Sequence, residues 1–305
     1  MIILRQEKYA AGKKPSERTL EEKLQTGVLC IDKPVGPTSH EVSAFVKNIL
    51  ETGKTGHTGT LDYNVSGVLT ILFNDSTKAA NYLADKDKEY VCLMTIEKPL
   101  PLNKVEQVMD NFRGEIYQTP PLASAVAKRL RTRKIHELEV IEVKDNCVLY
   151  RANVQAGTYI RNLCFDFGEL TGAKAEMTEL RRTKAGKFTE RNCITLQELS
   201  DLWWLYKEQG KDELSKHIHN IEDVIGLKKV MVSDGAIKPI TTGADLAIPG
   251  INAISKNIKK DELVAIYTGK EELLCIAKAL MTTEEITSQP KGIAFDIERV
   301  IRNNL

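Results

Sequence analysis

The chain has 305 residues, 42% hydrophobic and 28% charged, with a formal net charge of +1, the composition of a globular protein with room for one large domain or two ordinary ones. So balanced a charge gives no global polyanion signal, so any nucleic-acid surface has to come from local basic clusters. The six cysteines, Cys30, Cys92, Cys147, Cys164, Cys193 and Cys275, stand singly, which argues against a zinc site or a disulfide framework and fits thiols in a reducing compartment. Met1 to Arg5 turns charged too soon for a signal peptide, and no segment approaches the length of a membrane span. A cytoplasmic protein without membrane contact is expected.

Residues 1–25 are polar and read as an extension that is ordered only where it docks. Val28 to Pro34 has the pattern of a short buried strand ended by proline. Thr38 or Ser39 then caps a helix with Val42, Phe45, Val46 and Ile49 on one face. Next comes Gly56-His57-Thr58-Gly59-Thr60-Leu61-Asp62, an acid in a loop of glycine and hydroxyl residues, just before the apolar run Val68 to Phe73. An acid at such a bend is a candidate for chemistry, and equally an Asx-turn or cap residue. Gly53-Lys54-Thr55 resembles the end of a phosphate-binding loop, but that motif needs glycine where Asn48 stands.

Asp75 to Lys78 opens a second helix through Ala79, Ala80, Tyr82 and Leu83. Lys88 to Ile96 reads as a strand, and a helix carrying Val105, Val108, Met109 and Phe112 ends at Gly114. The basic run Lys128-Arg129-Leu130-Arg131-Thr132-Arg133-Lys134 predicts a mobile loop facing a polyanion, the alternative being an ordinary solvated loop. Val148 to Gln155 forms a strand, and a helix from about Asn162 to Leu170 is closed by Gly172. Met177 to Leu180 reads as a strand or turn. Residues 195–224 are helical by pattern, with Thr195 as cap and Leu196, Leu199, Leu202 and Trp203 on one side. From Lys228, roughly 75 residues of short alternating runs predict a small β-barrel, with Thr268 to Glu272 as a hairpin connection.

Three further clusters accompany Asp62: Lys88-Glu89-Tyr90, Thr158-Tyr159-Ile160-Arg161, and Glu179-Leu180-Arg181-Arg182-Thr183. With Ile31-Asp32-Lys33-Pro34 they resemble the motifs of the TruB-type pseudouridine synthases. The stretches Gln118 to Val126 and Thr242 to Gly250 resemble dyskerin and its archaeal counterparts, the catalytic subunits of box H/ACA guide-RNA particles. The resemblance runs in order from about residue 24 to 300. It implies an α+β pseudouridine synthase fold with a mixed, largely antiparallel sheet. The divisions implied are an extension at 1–25 packed on a C-terminal PUA domain, a catalytic domain at 26–225, and the PUA domain at 228–303.

The implied activity is isomerisation of uridine to pseudouridine without metal, nucleotide or redox cofactor. By the resemblance Asp62 is the essential carboxylate, acting as nucleophile, as base or by stabilising an oxocarbenium-like state. Arg161 pairs with it, and Tyr90 stacks on the flipped base. Tyr159 and Leu180 shape the pocket, with core packing as their plainer reading. His57 supports the loop or touches RNA, and Lys33 lies in the strand-end motif as a substrate-side residue with a structural part. Lys128, Arg129, Arg131, Arg133 and Lys134 match the thumb loop that clamps RNA. Gly243, Ala244, Asp245, Leu246, Pro249 and Gly250 match the PUA loop that holds the end of the guide.

Implied partners are H/ACA guide RNA, ribosomal RNA and tRNA substrates, and the other H/ACA core proteins. A tRNA synthase acting alone and a non-catalytic RNA-binding scaffold are the rival readings. His217 and His219 match nothing and are expected to be solvated. Tyr63 and Asn64 follow the acid where the family usually has proline and a basic residue, which makes the rigidity of that loop a structural question. The chain ends at Leu305 without the lysine-rich tail of eukaryotic dyskerins, which predicts an archaeal type.

Overall fold

Val65–Phe73 reads Val-Ser-Gly-Val-Leu-Thr-Ile-Leu-Phe and is buried along nearly its whole length, as a strand covered on both faces has to be. In the computed structural model, which describes residues 1–120 and 127–302, it lies inside a ten-stranded sheet. Pro121, Leu122, Ala123, Ser124, Ala125 and Val126, from the motif that begins at Gln118, lie outside the described residues. The main path of the sheet runs Ile218–Asn220, Gly27–Lys33, Val65–Phe73, Ala175–Ala185, Lys88–Ile96, Cys147–Val154, Arg131–Lys144 and Gly114–Gln118. Among the described strands one pairing of this sheet is parallel, Val65–Phe73 with Ala175–Ala185, setting Val65 opposite Leu180 and Gly67 opposite Arg182. Gly67 has φ +105°, and a Cβ there would meet the Arg182 carbonyl oxygen at 2.2 Å. Only glycine permits so close a backbone approach.

Helices cover both halves of the sheet. Thr38 and Thr195 each cap a helix through a reciprocal bond with the glutamate three residues on, starting Ser39–Ile49 and Leu196–Gln209. Val42, Val46 and Leu199 from these helices pack on Leu29, Ile31, Leu69 and Ile71. On the other half, Leu102–Asp110 and Ile160–Thr171 place Val105, Val108, Leu163 and Phe167 against Cys92, Met94 and Tyr150.

Several expectations change. Phe45 turns to solvent at 44% exposure instead of joining the apolar face. The second helix is largely a 3-10 segment, Asn74–Ala79, followed by the short helix Ala80–Ala84. Gly114 begins a strand instead of closing a helix. The helix from Leu196 stops at Gly210, which takes φ +64°, and the chain returns as Ile218–Asn220, antiparallel to Gly27, Val28 and Leu29. Left-handed glycine ends the helix locally, and Ile218 and Ile221 gain burial by returning to the sheet. His219 is therefore half-buried beside the Phe188 ring, 5.0 Å between centroids, and burial lowers its pKa.

The basic run is also more ordered than expected. Arg131, Thr132, Arg133 and Lys134 belong to the long strand Arg131–Lys144 and pair with Gln118 to Glu115. Ile135 and Leu138 anchor that strand in the core, and the hydrogen-bond ladder then extends into the charged end. Lys128 and Arg129 stay outside the strand and exposed.

The second sheet has seven strands, in the order Ile2–Ile3, Ile251–Ile254, Lys228–Val232, Leu263–Tyr267, Leu273–Ala279, Ile293–Val300 and Leu246–Ala247. Thr268 to Glu272 joins two antiparallel strands. At the start of the chain, Ile2 and Ile3 pair with Ile254 and Ala253. The two sheets share a core in which Val28, Cys30, Val68 and Leu72 meet Tyr267, Leu273 and Ile276. Beside it, buried Arg18 makes a two-pronged contact with Glu222 at 2.9 and 2.8 Å and reaches Glu272 at 3.3 Å. Arg302 also pairs with Glu272.

Candidate active site

The parallel join brings the Asp62 loop beside Leu180 and Arg182 of Ala175–Ala185, and a cavity of about 460 Å³ opens there. Its wall includes Asp62, Lys88, Tyr90, Tyr159, Arg161, Leu180 and Arg182. Asp62, Tyr90, Tyr159, Arg161 and Leu180, which come from four separated stretches of sequence, are thus brought together.

Asp62 Oδ2 accepts from Arg161 Nη2 at 2.6 Å, with the two side chains 56% and 43% exposed. A guanidinium at that distance fixes the direction of the carboxylate. The loop carrying the acid is held on both flanks without proline. The Ser39 hydroxyl accepts from Leu61 N at 2.8 Å and donates to Leu61 O at 2.9 Å. Gly36 N donates to Tyr63 O at 2.8 Å, and Val65 N donates to Asp62 O at 3.1 Å. Tyr63 and Asn64 therefore sit in a tied turn, and the question raised by the missing proline is answered by backbone bonds.

Arg161 is placed by the start of the Ile160–Thr171 helix, whose N-cap is Tyr159. Buried Gln118 grips that cap with both ends of its amide, accepting from Tyr159 N at 2.9 Å and donating to Tyr159 O at 3.1 Å. Asn162 Nδ2 adds a bond to Thr119 O at 2.8 Å. Tyr90 is half-buried on its strand, opposite Ala152 and Arg182.

Two expected substrate-side residues do not reach the cavity wall. Lys33 is fully buried, and its ammonium donates to Pro34 O at 2.9 Å and Val65 O at 2.8 Å. It ties the strand end to the Asp62 loop, and burial lowers its pKa. His57 lies in the Thr55–Thr58 strand, 3.5 Å from Thr60 Oγ1, and its pKa is lowered by burial and then by the charges of His40 and Arg182. Lys88, absent from the expected site residues, stands on the wall with its pKa pushed down to about 8 by burial and then by the charge of Arg182. Its ammonium donates to the carbonyls of Ala84 and Lys86.

The expected RNA-contact residues divide. Arg133 lies over the turn beside the cavity, its Nε 3.1 Å from where a Cβ on Gly157 would stand. Arg131 donates to Ala127 O at 3.3 Å, and Lys134 is exposed. In the segments that flank the Leu246–Ala247 strand of the second sheet, Gly243, Ala244, Asp245 and Pro249 are exposed. Leu246 is 1% exposed and belongs to the core, because alternation along its short strand turns it inward. Gly250 packs on the Asp234–Thr241 helix, where a Cβ would stand 2.9 Å from that of Ala236.

Comparison with known proteins decides the family. Residues 47–99 match the N-terminal domain of the TruB family of pseudouridylate synthases, and residues 161–225 match the C-terminal domain of tRNA pseudouridylate synthase B. A probable tRNA pseudouridine synthase B from Archaeoglobus fulgidus is 47% identical over 289 residues, 94% of this chain and 89% of the relative. The chain belongs to the TruB family of pseudouridine synthases. As a TruB-family enzyme it isomerises uridine.

Its flanks match a DKCLD domain at 2–43 and a PUA domain at 228–301. A Pyrococcus furiosus relative, also a probable tRNA pseudouridine synthase B, is 47% identical over 292 residues, 95% of this chain and 86% of the relative. Among solved structures, the chain is similar to one from a Cbf5-Nop10-Gar1 complex, with a TM-score of 0.90, 45% identity, and coverage of 99% of this chain and 94% of that one. It is also similar to a chain from an H/ACA RNP bound to a substrate RNA containing 2'-deoxyuridine, with a TM-score of 0.88, 42% identity, and coverage of 99% and 94%. No helix among the described residues is long and apolar enough to cross a membrane.

Gln118 and Arg182 stand inside motifs that give neither a part in the site, and by pattern Ser39 is one of two cap candidates beside Thr38, which makes the cap. Gln118 and Ser39 act through backbone atoms of distant residues. The pattern around them carries only a local signal.

Proposed function

We propose that this enzyme is the catalytic subunit of an archaeal-type H/ACA particle, converting uridines of ribosomal RNA chosen by pairing with a guide RNA. In this reading it works in the cytoplasm with the other H/ACA core proteins. The observation that carries it is likeness along the whole chain, extension and PUA domain included, to the chains of H/ACA complexes. The extension at 1–25, the catalytic domain at 26–225 and the PUA domain at 228–303 then act as one body, which the Arg18, Glu222 and Glu272 cluster supports.

Within the site, Asp62 is the carboxylate that acts at C1′, Arg161 keeps it aimed, and Tyr90 stacks on the flipped base. Tyr159 and Leu180 bound the pocket. The exposed Lys128, Arg129 and Lys134, with Arg131 and Arg133, hold phosphates. Gly243, Ala244, Asp245 and Pro249 hold the guide end. The names of the curated relatives favour a second reading, modification of tRNA without a guide.

Rejoining the base through C5 expels the C5 hydrogen as a proton, so tritium release from C5-labelled uridine separates the readings. Release from ribosomal RNA that requires guide RNA and the partner proteins supports the particle. Release from bare tRNA alone supports the second reading.

A further inference from the structure

The largest fully buried side chain among the described residues is an arginine, Arg182, at 1% exposure. Its Nε donates to Val68 O at 2.7 Å, its Nη2 is buried with no acceptor, and among the described residues it forms no salt bridge. Guanidinium does not give up its proton in proteins, so the charge stays and is costly unless something answers it. Arg182 belongs to the wall of the cavity that holds Asp62 and Tyr90. Asp62 does not answer it, being paired with Arg161 at the exposed mouth.

Gly59 keeps the approach to this cation open. A Cβ there would stand 3.2 Å from Arg182 Nη1 and 3.5 Å from Lys88 Cε. Lys88 adds a second positive side chain to the same wall, 7% exposed, its ammonium bonded to two carbonyl groups and within reach of the charges of Asp85 and Asp87. The depth of the site is therefore cationic, while its mouth carries the balanced Asp62 and Arg161 pair. In the reading of Asp62 and Tyr90 given above, the base is the part of a bound nucleotide that goes deep.

We propose that Arg182 is a further catalytic residue, whose guanidinium donates a hydrogen bond to a carbonyl oxygen of the uracil anion released when the N1–C1′ bond breaks. This rests on the reading of Asp62 and Tyr90 given above. The electron pair of the broken bond leaves with N1 and spreads onto O2 and O4. When the base has turned, a pair from the anion forms the C5–C1′ bond, C5 loses its proton, and N1 ends protonated. A fixed cation with donors to spare, in a cavity of low dielectric, stabilises charge that exists only after the bond begins to break.

The test is single-turnover consumption of the target nucleotide by the full chain, with guide RNA and partner proteins or on tRNA, whichever supports tritium release. Two RNAs are compared, one with uridine and one with 5-fluorouridine at the target. Fluorine makes the base anion easier to form, so that substrate needs less help. Arg182→Met is expected to lose about 100- to 1000-fold on uridine, and clearly less on 5-fluorouridine, with RNA affinity and its salt dependence unchanged. Arg182→Lys, which keeps the charge and a donor for Val68 O, is expected to fall between. It carries the test where the methionine variant does not fold.

Equal losses on the two substrates overturn the proposal and leave Arg182 a structural residue. Weaker RNA binding with a shallower salt slope also overturns it and makes Arg182 a phosphate contact. Wild-type rates in both Arg182 variants sink this inference alone, whereas full activity in Asp62→Asn sinks the reading of the site itself.

Discussion

Two groups of arginine and carboxylate lie in this molecule under opposite conditions. The Asp62 and Arg161 pair is about half exposed, single, and carried by a loop and a helix start. The Arg18, Glu222, Glu272 and Arg302 cluster is nearly all buried and shared by the N-terminal extension, the end of the first sheet and the second sheet. The same chemistry gives an adjustable pair in the first place and a fixed joint in the second. Burial decides which, because removing one partner from a buried cluster leaves a charge that water cannot reach.

Asp62→Asn is the most severe way to break the comparison. Tritium release should fall by at least about 1000-fold, while thermal unfolding and RNA affinity stay near wild type. A large loss of stability would place Asp62 with the structural cluster instead. Glu272→Gln should do the reverse: because Arg18 and Arg302 lose an anion, stability should fall by about 3–5 kcal/mol in chemical denaturation. Catalysis per folded molecule should change much less. An unchanged unfolding midpoint would show that the buried cluster is not the joint.

Lys88 sharpens the contrast with pH. Its folded pKa is lowered to about 8 from 10.5, so the unfolded chain binds more protons between those values, and its contribution to stability rises with pH across that window. Below pH 8 the cost of burying its charge is fully present. Relative to wild type, Lys88→Met should therefore be most stabilised near neutral pH, and the difference should shrink by pH 10. A difference that does not vary with pH would mean the ammonium is solvated. At the low end, Glu213→Gln, which breaks an exposed pair with Lys216, should leave the melting temperature unchanged.

Much of the site was legible through the resemblance of its short motifs to those of the family, since on its own signals the Asp62 loop reads equally as a turn. Asp62 lies in a glycine loop before an apolar strand, and Arg161 and Tyr159 lie where a strand turns into a helix. The misreadings have a common physical origin. The Leu196 helix stops early because Gly210 takes a left-handed conformation and Ile218 finds a sheet edge, a gain visible only in three dimensions. The basic run reads as a loop because its charges mask the ladder that extends from Ile135. Leu246 sits in a functional motif, yet its side chain turns inward, and strand alternation without register does not tell which face is buried.

The parallel join between Val65–Phe73 and Ala175–Ala185 also bears on how the enzyme comes into being. Ser66 and Arg181, which meet across it, are 115 residues apart in the chain. Contacts of such separation cost chain entropy before they are rewarded, which slows their formation. A nascent chain that has not yet emerged to Ala185 has neither the floor of the cavity nor the strand that positions Leu180. The carboxylate loop alone is then an ordinary turn, and the site needs the sheet closed before it is whole.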